Sequence, residues 1–144
     1  MFTVTETVSI ARPDEEVFRF LTDSRNRSRW DATVVSEVVT SDAPLGVGST
    51  IHTRMRAVGR EVDFDWRVTR FDAPTRMSLV STAGIMSTST TFDLTPVGAG
   101  CRVSVTIDAE PEGMMRFVEP MISGSVRSTL ATSLGRAKEL LEKG

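Results

Sequence analysis

Apolar residues recur at every second position through most of this chain, and at helical spacing only near its two ends. In "FTVTETVSI", Phe2, Val4, Val8 and Ile10 share one face, and Thr3, Thr5, Thr7 and Ser9 the other. That alternation predicts a half-buried strand. "RPDEEVFRFL" changes to helical spacing. Pro13 suits a first helical turn, Asp14, Glu15 and Glu16 suit the positive end of the helix dipole, and Val17, Phe18 and Leu21 form a buried stripe. "SRNRSRW" reads as a second short helix with Ser24 as its N-cap.

From residue 33 the period is again two. "TVVSEVVT" is a strand and "LGVGS" a turn. "TIHTRMRA" then sets Ile51, Thr53, Met55 and Ala57 on one face. "EVDFDWRVTRF" places Val62, Phe64, Trp66 and Val68 opposite Glu61, Asp63, Asp65 and Arg67. "RMSLVST" and "MSTSTTFDLT" follow, parted by a turn at Ala83–Gly84. "PVGAG" leads by a hairpin into "CRVSVTIDA", where Val103, Val105 and Ile107 face inward. One-sided strands joined by short glycine-containing turns predict an antiparallel sheet with one wet face.

The expected order is thus a strand, two short helices, about six strands and one long helix, an α+β arrangement. Only the last helix is long enough to cover the sheet. From Gly113 to Leu141 it would run roughly 40 Å at 1.5 Å per residue. A twisted sheet of six to seven strands curled around it leaves a space between the two. Pro120 and Gly124 interrupt this helix in "FVEPMISGSVRST". They predict a kink or break at Pro120 and a bend near Gly124 and Ser125. The competing expectation is that Pro120 only starts the helix, after an irregular lead-in from Gly113.

Composition narrows the class. The 144 residues fit one domain, 1–144, with one core. Net charge is -2, so no global field recruits nucleic acid or anionic lipid. Cys101 is the single cysteine, which precludes an intramolecular disulfide and points to a reducing, cytoplasmic setting. "MFTVTETVSIARPDEE" lacks the basic and apolar regions of a signal peptide, and no apolar run would span a bilayer.

The chain resembles the START-like superfamily with the helix-grip fold, and within it the polyketide cyclase/dehydrase branch, the SRPBCC proteins. The resemblance is carried by "VSIARPDEEVFRFLTD", "RWDATVV", "WRVTRFDAPTRMSLVST" and "FDLTPVGAGCRVSVTIDAEPEGMMRFVEPM" running into "SLGRAKELLEKG". It implies that the final helix plugs the curled sheet and that its first half lies over the mouth of a cavity. Residues expected around that cavity are Met55, Phe64, Trp66, Met77, Thr88, Thr90, Phe92, Met114, Phe117, Met121 and Ser125. Trp30 is expected to be partly exposed near the mouth.

Reactive groups are few: no tyrosine, one histidine, one cysteine. His52 falls on a polar strand face beside Arg54 and Arg56, where a solvated role is expected before that of a general base. Cys101 falls inward as a small hydrophobe, and no partner is spaced to make it a nucleophile. Neither metal-ligand spacing nor a phosphate-cradling loop is present, and no cofactor is expected. Glu6 shares the inward register of Val4 and Val8. It is either a cavity carboxylate able to act as acid or base, or a rim residue. Thr88 and Thr90 offer hydroxyls to a ligand or to the backbone. Met55, Met77, Met86, Met114, Met115 and Met121 suit an adaptable pocket or ordinary packing. Arg25, Arg27 and Arg29 read as a solvated helix face rather than an RNA patch.

Three functions stay open. The first is binding of a hydrophobic small molecule such as a lipid, isoprenoid or polyketide-like compound. The second, implied by the resemblance, is polyketide aromatase, cyclase or dehydratase work. The third is assistance to another protein. The full inward apolar set and the scarcity of catalytic side chains favour the first. No nucleic acid and no stable membrane insertion are expected; a homodimer is compatible with the sequence.

Overall fold

The computed structural model describes residues 1–57 and 59–143. Strand β1 (Phe2–Ile10) leads through Pro13 into helix α1 (Asp14–Thr22). The Pro13 carbonyl accepts the Val17 N–H at 3.1 Å, and α1 buries Val17, Phe18 and Leu21. A 3-10 turn (Ser24–Asn26) runs directly into the four-residue helix α2 (Arg27–Trp30). The cap of that turn is Asp23, not Ser24 as expected: the Asp23 carboxylate accepts the Arg25 N–H at 3.0 Å.

Strands β2 (Val34–Val39), β3 (Thr50–Ala57), β4 (Arg60–Asp72), β5 (Arg76–Ala83), β6 (Ser87–Val97) and β7 (Gly100–Glu110) follow in order. All pairings are antiparallel, and the seven-stranded sheet has the order β1-β7-β6-β5-β4-β3-β2. Alternation holds as the sequence predicts: Val4, Ile51, Phe64, Val68, Phe92, Leu94, Val103 and Val105 are all buried on the inner face. The sheet curls into a half-barrel because every strand carries the right-handed twist. Register shifts in β2 and β4 sharpen the curl.

A 3-10 segment (Gly113–Val118) precedes the long helix α3 (Glu119–Lys143). Pro120 therefore lies in the first turn of α3, where its missing N–H has no helical partner to lose. The lead-in expectation holds, and the predicted interruption of a longer helix at Pro120 does not arise. Helical structure continues unbroken through Gly124, where an added Cβ would meet nothing within 4 Å. Leu130, Leu134, Ala137 and Leu141 anchor the second half of α3 in the core. Its end is also tied to the β1–α1 corner. Lys138 Nζ donates to the Ser9 carbonyl at 2.6 Å, and Glu142 Oε2 accepts the Ala11 N–H at 2.8 Å.

Candidate functional site

The inner face of the sheet is filled unevenly. Under α1 it is packed solid: Phe18 meets Phe71 edge-on with ring centroids 5.5 Å apart, and Met77, paired across strands with Phe71 and Phe92, is buried there. Under the first half of α3 the packing opens into a cavity of about 410 Å³. Its size falls within the range of small-molecule pockets.

Strands β4 to β7 build the floor, β5 contributing Leu79. Phe64 and Trp66, two residues apart on β4, stack with centroids 5.3 Å apart and planes at 19°, giving the cavity an aromatic wall. Gly84 makes room for that wall: a Cβ there would come within 2.4 Å of the Phe64 ring. Thr88, Thr90 and Phe92 come from β6, Ile107 and Ala109 from β7. The roof is one face of α3 and its lead-in, with Val118, Met121, Ile122, Ser125 and Val126. Of these, Ser125 is the one small side chain; the others are apolar and of medium size.

Most residues that the sequence placed around a cavity do meet here: Met55, Phe64, Trp66, Thr88, Thr90, Phe92, Met121 and Ser125 all border it. Three do not. Met77 belongs to the solid core under α1. Met114 and Phe117 are each 82% exposed, because the 3-10 lead-in turns them outward before α3 begins to cover the sheet. Trp30 also departs from expectation. It is 2% exposed and lies edge-on to Phe92, with centroids 6.5 Å apart.

One wall of the cavity is polar, and the sequence reading missed it. Arg27 and Asp31 face each other one helical turn apart, with Arg27 Nη2 donating to Asp31 Oδ2 at 3.1 Å. Asp31 is 5% exposed. Its Oδ1 accepts the Thr33 N–H at 3.1 Å and the Thr33 hydroxyl at 2.6 Å. The Arg27 guanidinium also lies 4.5 Å over the Trp30 ring, a cation–π contact. Arg27 is thus half-buried, not on a solvated face. Nearby on the same wall, Glu37 Oε1 accepts the hydroxyl of buried Thr53 at 3.1 Å, and Arg56 completes the set. The Arg27–Asp31 spacing, i to i+4 beside a tryptophan, was the signal available. Glu37 had none, because the bulge between Val34 and Ser36 turns it inward against simple alternation.

The other titratable groups noted in the sequence lie elsewhere. Glu6 is half-buried and pairs with Arg127 of α3 at 3.3 Å, outside the cavity lining. Cys101 is buried, and burial, with the Asp14 charge adding to it, pushes its thiol pKa up. It is therefore a poor nucleophile at neutral pH. Among the described residues, no group of three or more His, Cys, Asp or Glu could hold a metal ion, and no helix is long and apolar enough to cross a membrane.

His52 lies on the outer sheet face between two carboxylates. Its Nδ1 is 2.7 Å from Asp65 and its Nε2 is 3.2 Å from Asp63. The Asp65 hydrogen bond above all, with Asp63 adding to it, holds its pKa above the ordinary value of about 6.5. A raised folded-state pKa stabilises the protein in full below the unfolded value. That contribution is lost as pH rises through the folded value. As the chain's single histidine, its ring protons can be followed by NMR. We expect a titration midpoint above about 6.5 that drops in Asp65→Asn; a midpoint unmoved by that substitution would contradict the assigned cause.

The family profile described as "Polyketide cyclase / dehydrase and lipid transport" matches residues 1–142. In a comparison with curated proteins, none matches. Among solved structures, the fold resembles TTHA0849 from Thermus thermophilus, with 20% identity, TM-score 0.84, and 96% of this chain and 95% of that one covered. A START superfamily protein from Mycobacterium smegmatis is similar at 19% identity, TM-score 0.80, with 96% and 98% covered. DynU16, from the dynemicin biosynthetic locus, aligns at 17% identity and TM-score 0.70, over 97% of this chain and 47% of that one. At such identities the structural likeness speaks for the fold alone. Together with the profile match along nearly the whole chain, the curled sheet closed by α3 places this protein in the polyketide cyclase/dehydrase and lipid transport family, with the START-like helix-grip fold.

Proposed function

We propose that this protein binds a hydrophobic small molecule, of lipid, isoprenoid or polyketide-like type, between the sheet and α3. The observation that carries the reading is the cavity itself. A chain that packs the α1 end of its sheet solidly leaves about 410 Å³ open under α3, walled by Phe64, Trp66, Phe92, Met121 and Ile122. Apolar surface left uncovered in this way forgoes roughly 25 cal/mol per Å² of burial. A fitting guest recovers it. The buried single cysteine suits a cytoplasmic setting for this role.

Tryptophan fluorescence tests the reading, because Trp66 borders the cavity while Trp30 does not. In Trp30→Phe, which keeps Trp66, titration with a flat polycyclic phenol is expected to give a saturable change in emission. In Trp66→Phe the change should be smaller. Native mass spectrometry of freshly purified protein reads a retained guest directly. A silent Trp66, with no retained guest, would remove the support for binding.

Cyclisation or dehydration of a polyketide-type substrate is the second reading. Two carboxylates on the cavity wall favour it: Asp31 and Glu37 stand where they could move protons of a bound chain. Turnover that disappears in Glu37→Gln while binding persists would support it.

A further inference from the structure

We propose a second binding site, outside the main cavity, that takes a small phosphorylated polyol by its phosphate group. It is a recess of about 330 Å³ between α2 and α3. The proposal does not depend on what the main cavity holds.

The recess originates in the sequence of α3. Ser128, Thr129, Thr132, Ser133 and Arg136 recur at helical spacing and share one side of the helix. That side faces α2 and the turn after it, from which Ser28, Arg29 and Trp30 also border the space. A helix side turned toward another helix ordinarily carries apolar residues that close the gap. Small residues there let two helices approach closely. Here the gap stays open, so the hydroxyls line a space instead of a helix contact. Ser133 is 4% exposed and borders it. Unlike the sealed Trp30 Nε1, its hydroxyl stays open to the recess with no hydrogen-bond partner among the described residues.

Charge decides what fits. Arg29 from α2 and Arg136 from α3 border the recess, and no carboxylate does. In a chain of net charge -2 this is a local cationic excess. Each guanidinium has one protein partner, through Nη1: Asn26 at 2.9 Å for Arg29 and Glu139 at 3.4 Å for Arg136. Nε and Nη2 of both are uncommitted among the described residues. Glu139 is 61% exposed, so it competes weakly. Asp31, next to Trp30 in the chain, is already matched by Arg27. Guanidinium groups on two helices, with hydroxyls between them, offer donors from several directions. A phosphate monoester, with three outer oxygens, uses more of them than a planar carboxylate does. Phosphate alone fills only part of the recess. Ser and Thr hydroxyls both donate and accept, as the hydroxyls of a polyol require.

Thr33 and Thr129 border the recess and the main cavity alike. The two spaces are neighbours, yet each has its own tryptophan, Trp30 in the recess and Trp66 in the cavity. Two tryptophans give two indole N–H signals by NMR, assigned with Trp30→Phe and Trp66→Phe. Glycerol 3-phosphate titrated into the full chain should move the Trp30 signal saturably and the Trp66 signal less. We expect a midpoint below about 10 mM, with calorimetry giving the affinity independently. Glycerol should not bind, and inorganic phosphate should bind at least about threefold more weakly. Arg29→Gln combined with Arg136→Gln should weaken glycerol 3-phosphate at least about tenfold, and Ser133→Ala about fivefold. Arg67→Gln with Arg102→Gln removes the same charge from exposed positions on β4 and β7. It should change the affinity by less than about twofold.

No binding of glycerol 3-phosphate by calorimetry would overturn the proposal. So would glycerol or inorganic phosphate binding equally well, or an affinity indifferent to Arg29 and Arg136. An equal loss in the Arg67 and Arg102 variant would reduce the effect to general charge and overturn it too. Phosphatidylcholine vesicles containing phosphatidic acid carry the same phosphate group on a lipid. Retention on them that needs Arg29 and Arg136 would support the site with a lipid as the source of the phosphate. Without such retention, glycerol 3-phosphate binding supports it with the free ester as the source.

Discussion

Thr90→Trp is expected to abolish binding of any hydrophobic guest while the fold survives. Thr90 lies on β6 in the cavity floor, paired across strands with Leu79 and Ile107, which also border the space. An indole there points into volume that is already open. It therefore fills space instead of overpacking a closed core, the circumstance in which an enlarged side chain is tolerated. It would occupy a large part of the 410 Å³ that Phe64 and Trp66 border. We expect affinity for a polycyclic phenol to fall at least about tenfold, a loss of roughly 1.4 kcal/mol or more. Thermal stability should hold or rise. Thr95→Trp is the control, since Thr95 is exposed on the same strand and should leave binding intact. Undiminished affinity in Thr90→Trp would mean that the guest sits outside the sheet.

Leu134→Ala should produce the largest loss of stability. Leu134 is 1% exposed and lies in the half of α3 that holds the helix to the core. Removing its buried methyl groups forfeits their transfer energy and leaves a hole that rigid strands cannot close. The expected cost is about 3 kcal/mol. For a domain of this size that lowers Tm by about 10 °C. Met121→Ala on the same helix is the contrast. Met121 is 74% exposed, so its removal should shift Tm by no more than a degree or two. A small effect at Leu134 would show that the sheet holds together without its helix.

What the sequence made legible, and what it hid, divide along physical lines. Alternation of period two reported the inner face of nearly every strand, because half-burial is imposed residue by residue. Phe64, Trp66, Thr88, Thr90 and Phe92 were readable as cavity candidates for that reason. The polar wall was not. Helix α2 has only four residues, too few for a helical period to show which side is buried, so Arg27 read as solvated and Trp30 as partly exposed. Glu37 follows a bulge, and one extra residue in a strand inverts all later faces. Met114 and Phe117 were misplaced because a 3-10 lead-in has a different period from the α-helix that follows. Met77 shows the remaining gap: periodicity tells which residues point inward, but not which end of the inner face α1 fills.

The sheet order also governs how the chain acquires its structure. Strands β2 to β7 form a meander of sequence neighbours, whereas β1 pairs only with β7, Ile10 opposite Cys101 and Phe2 opposite Ala109. During synthesis β1 emerges first, yet its partner comes about 90 residues later, a delay of roughly 5 to 20 s at typical elongation rates. Its alternating apolar face and its unpaired backbone edge stay uncovered for that interval. Closing this long-range pair comes late and slowly, since contacts distant in sequence carry the largest loop entropy. The nascent chain is thus most prone to aggregation through its first nine-residue strand, and a chaperone that shields this segment would raise the yield of folded protein.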